Sequence, residues 1–223
     1  MARNYNISIN EYYHVYNRGV EKRRIFTGYK DYERFQFLLY ICNNKKSVEI
    51  RNYGGLTSVE KFSLIRKDTL VEIGEYVLMP NHFHVLLREK TEGGISLFMQ
   101  KLTTAYTMYF NTNYKRSGSL FGGSFKARHA DEDQYLKYLY AYINMNPIKL
   151  IEPNWREEGI KDKKKAKEFL LTYEYSSYQD FLGLKRPEGR ILNLGVFPDY
   201  FQEKSSFLKF LNDWIESEDA TEV

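Results

Sequence analysis

The chain has 223 residues, a net charge of +4 and a single cysteine, Cys42. That length can bury roughly 70% of the surface of the extended chain, which is sufficient for one core with a small appendage. One cysteine excludes an intrachain disulfide framework, and no apolar run approaches the ~20 residues of a membrane span. Residues 1–10 lack the apolar core of a signal peptide, so a cytoplasmic location is expected. The charge is unevenly placed. Between residues 93 and 130 there is no Asp or Glu, while Lys101, Lys115, Arg116, Lys126 and Arg128 are all basic. Such a stretch suits a polyanionic partner, and equally a solvated face. The 20 tyrosines suit base stacking as well as an ordinary packed core.

In chain order, residues 11–18 read as a strand ending at Gly19, and residues 30–42 carry Tyr32, Phe35, Leu38, Leu39 and Cys42 at helical spacing. Cys42 among these apolar neighbours reads as a buried structural thiol. Residues 43–68 are polar, contain Gly54-Gly55 and read as a loop or irregular insertion. Two strand-like runs, 70–78 and 82–88, are joined by Met79-Pro80-Asn81 as a hairpin. Residues 95–114 have helical periodicity, and 120–129 form a glycine-punctuated extended stretch. Asp131 with Gln134 has the spacing of a capping box opening a helix that Pro147 stops. Residues 156–168 are highly charged, and 197–215 hold a helical tail with Phe207, Phe210, Leu211 and Trp214.

This order predicts an α+β fold, a ferredoxin-like antiparallel sheet with helices packed on one face and the other face available, plus a small helical C-terminal extension. The expected division is a main domain over residues 1–183, interrupted by an insertion at about 43–69, and an accessory tail over 184–223.

The second hairpin strand places chemistry on the available face. Alternation in residues 82–87 puts Phe83, Val85 and Leu87 on the core side and projects His82 and His84 together from the other. Two imidazoles at this spacing can grip one ion, or be a pair of surface histidines. On the helix that follows Asp131, Tyr135, Tyr138, Tyr142 and Asn146 line one stripe, with Leu136, Leu139 and Ile143 flanking it toward the core. The stripe serves packing as readily as chemistry. A carboxamide oxygen is a hard ligand, so His82, His84 and Asn146 would make a neutral three-point site for Mg²⁺ or Mn²⁺, with positions left for water and a phosphate oxygen.

The sequence resembles the HUH tyrosine transposases, and within them the REP-associated tyrosine transposases and their insertion-sequence relatives. The landmarks are Tyr13-His14-Val15-Tyr16-Asn17-Arg18-Gly19 with Ile25-Phe26, then Tyr76-Val77-Leu78-Met79-Pro80-Asn81-His82-Phe83-His84. They continue in Arg116-Ser117-Gly118-Ser119-Leu120-Phe121, Phe125-Lys126, Tyr142-Ile143-Asn144-Met145-Asn146-Pro147 and Tyr175-Ser176-Ser177-Tyr178. The resemblance implies that His82 and His84 are a metal pair, Asn146 the third ligand and Tyr142 the nucleophile. It also implies cleavage and rejoining of single-stranded DNA near hairpins through a covalent 5′-phosphotyrosine. Phe121 and Ser124 depart from the Trp and Arg often found in the family, which bears on DNA contacts rather than on the core site. Arg18, Lys115, Arg116, Lys126 and Arg128 are the candidate DNA-positioning residues. Some relatives place the tyrosine helix on a partner subunit, so a homodimer is an open alternative. Two further classes stay open: a non-catalytic single-strand binder with no need of Tyr142, and a metal hydrolase or two-histidine oxygenase, which would require a carboxylate ligand.

Overall fold

The computed structural model describes residues 7–47, 49, 53, 55–201 and 203–217. Four strands, β1 (Tyr12–Arg18), β2 (Val71–Met79), β3 (His82–Glu89) and β4 (Lys126–His129), form one sheet in the order β2-β3-β1-β4. All the pairings are antiparallel. With α1 (Tyr29–Ile41) between β1 and β2, and α3 (Gly94–Asn113) between β3 and β4, this is the ferredoxin-like order predicted.

Alternation along the two central strands divides the core. Tyr13 and Val15 of β1 and Phe83, Val85 and Leu87 of β3 point toward α1 and α3, where they meet Phe35, Leu38, Phe98, Leu102 and Tyr106. On the opposite face, Val77, Met79 and Leu86 pack against Leu136, Leu139 and Ile143 of α4 (Asp133–Met145). The face left free by α1 and α3 is therefore partly roofed by α4. A third cluster ties Ala141 and Met145 on the far side of α4 to Phe207, Leu211 and Ile215 of α8 (Lys204–Glu216). Between them lie α5 (Trp155–Glu158), α6 (Lys163–Thr172) and α7 (Tyr178–Phe181). The tail reaches the sheet as well: a Cβ on Gly74, beside the irregularity between Ile73 and Glu75, would lie 2.7 Å from the ring of Phe197. No helix among the described residues is long and apolar enough to cross a membrane.

Two local readings need correction. The polar segment 43–69 is not all loop, since α2 (Ser58–Ser63) forms within it. Its start is a true capping box, with Glu60 N donating to Thr57 Oγ1 at 3.3 Å and Thr57 N donating to Glu60 Oε2 at 2.8 Å. Phe62 is buried beneath it. Of the Gly54-Gly55 pair, Gly54 lies outside the described residues. The capping box expected at Asp131 does not form: α4 begins two residues later, and its N-cap, Glu132, makes no side-chain bond. Asp131 instead lies 3.6 Å from His129. Pro147 does end the α-helix, although the chain continues as a 3₁₀ turn over Asn146–Leu150.

Candidate active site

The geometry starts from strand register. Tyr16 of β1 pairs with His84 of β3, and Arg18 pairs with His82. His82, His84, His14 and Tyr16 therefore share the face under α4. The rings of His82 and His84 are 5.0 Å apart and nearly perpendicular. Tyr142 descends from α4 onto this pair, its ring 5.2 Å from that of His84 and 5.5 Å from that of His14. Asn146, one turn further, is buried with its side chain toward His82. One chain thus brings together all four residues singled out on the strand and the helix.

Hydrogen bonds on the far side of each imidazole orient it. His82 Nδ1 is 2.6 Å from Asn81 Oδ1, and the Asn81 amide nitrogen donates to Lys22 O at 3.2 Å. With the amide so oriented, His82 Nδ1 must be the donor and Nε2 keeps its lone pair. His84 Nδ1 is 2.8 Å from His14 Nε2. Donation by His84 there leaves its Nε2 in the same condition.

Both rings are held neutral. Burial first, then the positive charges of Arg18 and Lys149, push the His82 pKa down to about 4, opposed by the Asn146 side chain. Burial and its histidine neighbours hold His84 well below the usual histidine range, with Arg156 and Lys149 adding to the effect. Asn146 Oδ1, although its amide lies against His82, is buried without a hydrogen bond of ordinary geometry among the described residues. A buried carbonyl oxygen without a hydrogen-bond donor, beside two neutral imidazoles, is a set of atoms able to ligate a divalent ion. Among the described residues no three His, Cys, Asp or Glu side chains are grouped to hold an ion.

The basic residues separate into groups. Arg18 is exposed next to the histidines and acts on His82. Arg128 and Lys126 stand on the edge strand, Arg128 with its guanidinium 3.9 Å over the ring of Tyr135 and Lys126 5.9 Å over that of Tyr16. Both lie on the α4 side of the sheet. Lys115 and Arg116 instead follow the end of α3, which covers the other face. The Arg116 guanidinium donates to Asn111 Oδ1 at 2.7 Å and to Ser119 O at 3.1 Å, bracing its own loop. His129 pairs with Glu11 at 3.0 Å and stacks on Tyr13, away from Tyr142.

Four residues at the site were not assigned from the sequence. Asn81 reads as a turn former and His14 as a residue that packs or hydrogen-bonds in its strand; the bond from His14 to His84 follows only from the β1–β3 register. Lys149 and Arg156 lie beyond Pro147, and Arg156 stands with its guanidinium carbon 4.2 Å over the Tyr142 ring. Only the high charge of residues 156–168 hinted at Arg156, and nothing in the sequence reading marked Lys149.

Residues 57–146 match the family of IS200-like transposases, a segment that includes His82, His84, Tyr142 and Asn146. No curated protein matches the chain. Among solved structures, one described as a REP-associated tyrosine transposase bound to a REP hairpin aligns with a TM-score of 0.45 at 14% identity, covering 84% of this chain and 89% of that one. The resemblance read from the sequence is borne out: residues 57–146 match the IS200-like transposase family.

Proposed function

We propose that this chain is an IS200-like transposase acting as a single-stranded DNA endonuclease and strand transferase, with Tyr142 as nucleophile and His82, His84 and Asn146 as the ligands of one Mg²⁺ or Mn²⁺. The observation that carries the reading is the convergence of the Tyr142 ring, two imidazoles whose pKa values burial pushes down, and the buried side chain of Asn146. When bound, a divalent ion would supply Lewis-acid polarisation of the scissile phosphate. The chain's own residues do the rest. Asn81 and His14 orient the histidine rings, α4 holds the phenol over them, and Arg18 supplies positive charge at the same edge.

The Tyr142 oxygen forms a bond to phosphorus as the bond to the 3′ oxygen breaks. The phenolic proton passes to solvent and the departing oxygen takes one up as a 3′-OH. The resulting 5′-phosphotyrosine keeps the energy of the ester, so a different 3′-OH can reverse the step and complete strand transfer without ATP. A substrate carrying a hairpin near the cut is proposed because the family implies one. Because all four residues meet within one chain, a partner subunit is not required for the site.

Incubation with Mn²⁺ and a labelled single strand from the flanking DNA, including its hairpin, should trap a covalent adduct stable to denaturation. Tyr142→Phe should abolish the adduct while DNA binding persists, and His84→Ala should abolish it together with Mn²⁺ binding. Adduct formation by Tyr142→Phe at the wild-type rate would sink the assignment. A complete absence of adduct on a cognate hairpin, with tight binding retained, would favour a binding module.

A further inference from the structure

Beyond the matched segment, the chain contributes a charge aimed at the nucleophile. The 3₁₀ turn over Asn146–Leu150 redirects the chain, and α5 begins beside α4 with Trp155 buried. Arg156 lies with its guanidinium carbon 4.2 Å from the centre of the Tyr142 ring and 5.3 Å from that of Trp155. A guanidinium stacked by its face keeps its N–H donors at its edge, in the plane. One of them goes unused: Nη2 is buried and has no hydrogen-bond partner among the described residues. Buried donors without an acceptor are uncommon in folded proteins, and one carried by a cation over the Tyr142 ring points to a place for an anion.

A second observation is independent of the stacking. Lys149 is half-buried, close enough to act on both His82 and His84, and burial and then the charge of Arg156 push its own pKa down. Arg18 adds to the same effect. Glu157 opposes it, from the residue next to Arg156. Three cations gathered over neutral imidazoles repel one another, and an anion placed among them removes the repulsion.

We infer that Arg156 and Lys149 form an anion clamp that takes a phosphate ester at the Tyr142 hydroxyl. The inference rests on Tyr142 as the proposed nucleophile. Arg156 offers edge donors to the non-bridging oxygens of the phosphodiester and, after attack, to those of the phosphotyrosine. Lys149 acts as a point charge. Both residues lie outside the segment matched to the transposase family.

The chain carries a built-in probe. Its two tryptophans, Trp155 and Trp214, line one small recess together with Tyr138, Tyr142 and Arg156. Titrating the metal-free full chain with inorganic phosphate should produce a saturable change in tryptophan emission. Arg156→Gln should weaken that response by about tenfold, and Arg156→Lys, which keeps the charge without the fork, should fall between. With Mn²⁺ and the hairpin strand, Arg156→Gln should slow adduct formation by ~100-fold, the loss typical of removing one oxyanion donor. Its Mn²⁺ affinity, read by electron paramagnetic resonance, should not fall, since removing a cation beside His82 and His84 does not disfavour a bound cation.

A phosphate response identical in wild type, Arg156→Gln and Arg156→Lys overturns the clamp, as does an adduct rate unaffected by both substitutions. If Arg156→Gln fails to fold, Arg156→Lys and Lys149→Gln carry the same comparison. The two readings fail separately. An Arg156-dependent phosphate response with no adduct in any variant keeps the anion site and removes Tyr142 as nucleophile, whereas equal adducts in wild type and Arg156→Gln keep the nucleophile and remove the clamp.

Discussion

At the scale of single residues, the least conspicuous members of the site are those behind the histidines. Asn81 and His14 touch neither DNA nor metal in the proposed chemistry, yet each hydrogen-bonds the Nδ1 of a proposed ligand histidine and orients its ring. His14→Ala should therefore weaken Mn²⁺ binding by ~10–100-fold with little loss of fold, since outer partners of this kind commonly have that effect. Isothermal titration would measure it, and an unchanged affinity would make His14 a packing residue only. Tyr138 is the nearest rival to Tyr142, its ring 5.6 Å away on the preceding turn. Its ring also contacts Trp214 at 5.6 Å, away from the imidazoles. Tyr138→Phe should accordingly leave the adduct in place.

The residues legible from the sequence were those whose spacing falls within one element. Strand alternation places His82 and His84 on one side, and a four-residue step places Tyr142 over Asn146. His14 needed the pairing of Tyr16 with His84, and Arg156 needed the path of the chain after Pro147. Neither is a local property of the sequence.

At the scale of elements, β2 and α4 share a buried acid. Glu75 is fully buried, Oε1 accepts from the Asn144 amide at 3.3 Å, and Oε2 has no partner among the described residues. Burial raises its pKa well above the usual carboxylate range, against the small opposing effect of Asn144. The sign follows from proton binding. Above the ordinary glutamate pKa the folded chain holds a proton that the unfolded chain has released, so stability falls as pH rises through that window. Glu75→Gln should flatten this dependence and raise the melting temperature at neutral pH. A steeper or unchanged profile in calorimetry between pH 5 and 8 would contradict it.

The helix that carries Tyr142 is held by packing rather than by a cap, since no side-chain bond closes its start. Leu139→Ala, on the flank buried against the sheet, should cost ~2–5 kcal/mol in urea unfolding. The short helix α2 escaped the sequence reading because its six residues are too few to show a period, and only Thr57 and Glu60 mark it. The same spacing at Asp131 and Gln134 pointed to a cap that does not form, with Asp131 drawn to His129 instead.

Across the whole molecule, α4 is enclosed between the sheet and α8, with Ala141 and Met145 packed against Phe207 and Leu211. Removing residues 204–223 should lower the melting temperature and slow adduct formation, because the helix loses its outer support. The cations also divide by face. Replacing Lys126 and Arg128 with Ala should reduce the log-log salt slope of single-strand binding by ~0.7 for each phosphate that is no longer neutralised. Arg116→Ala should leave the slope nearly unchanged, because that guanidinium is engaged with Asn111 and Ser119. Equal slopes for all three variants would mean the edge strand does not touch phosphate. The acid-free stretch between residues 93 and 130 showed from the sequence that such charges exist. Which of them share a face with Tyr142 depended on the sheet order.

The central claim is that Tyr142, rather than another tyrosine of its helix, carries the DNA. Tryptic cleavage after Lys137 and Lys149 gives one fragment, residues 138–149, that holds Tyr138, Tyr140 and Tyr142 together. Trapping the Mn²⁺-dependent adduct on a hairpin strand, trimming the DNA with nuclease and fragmenting this peptide in a mass spectrometer would locate the bond. The account predicts a 5′-phosphonucleotide on Tyr142, and no modified peptide from Tyr142→Phe. A phosphonucleotide on Tyr138 or Tyr140, or one that persists in Tyr142→Phe, would contradict it.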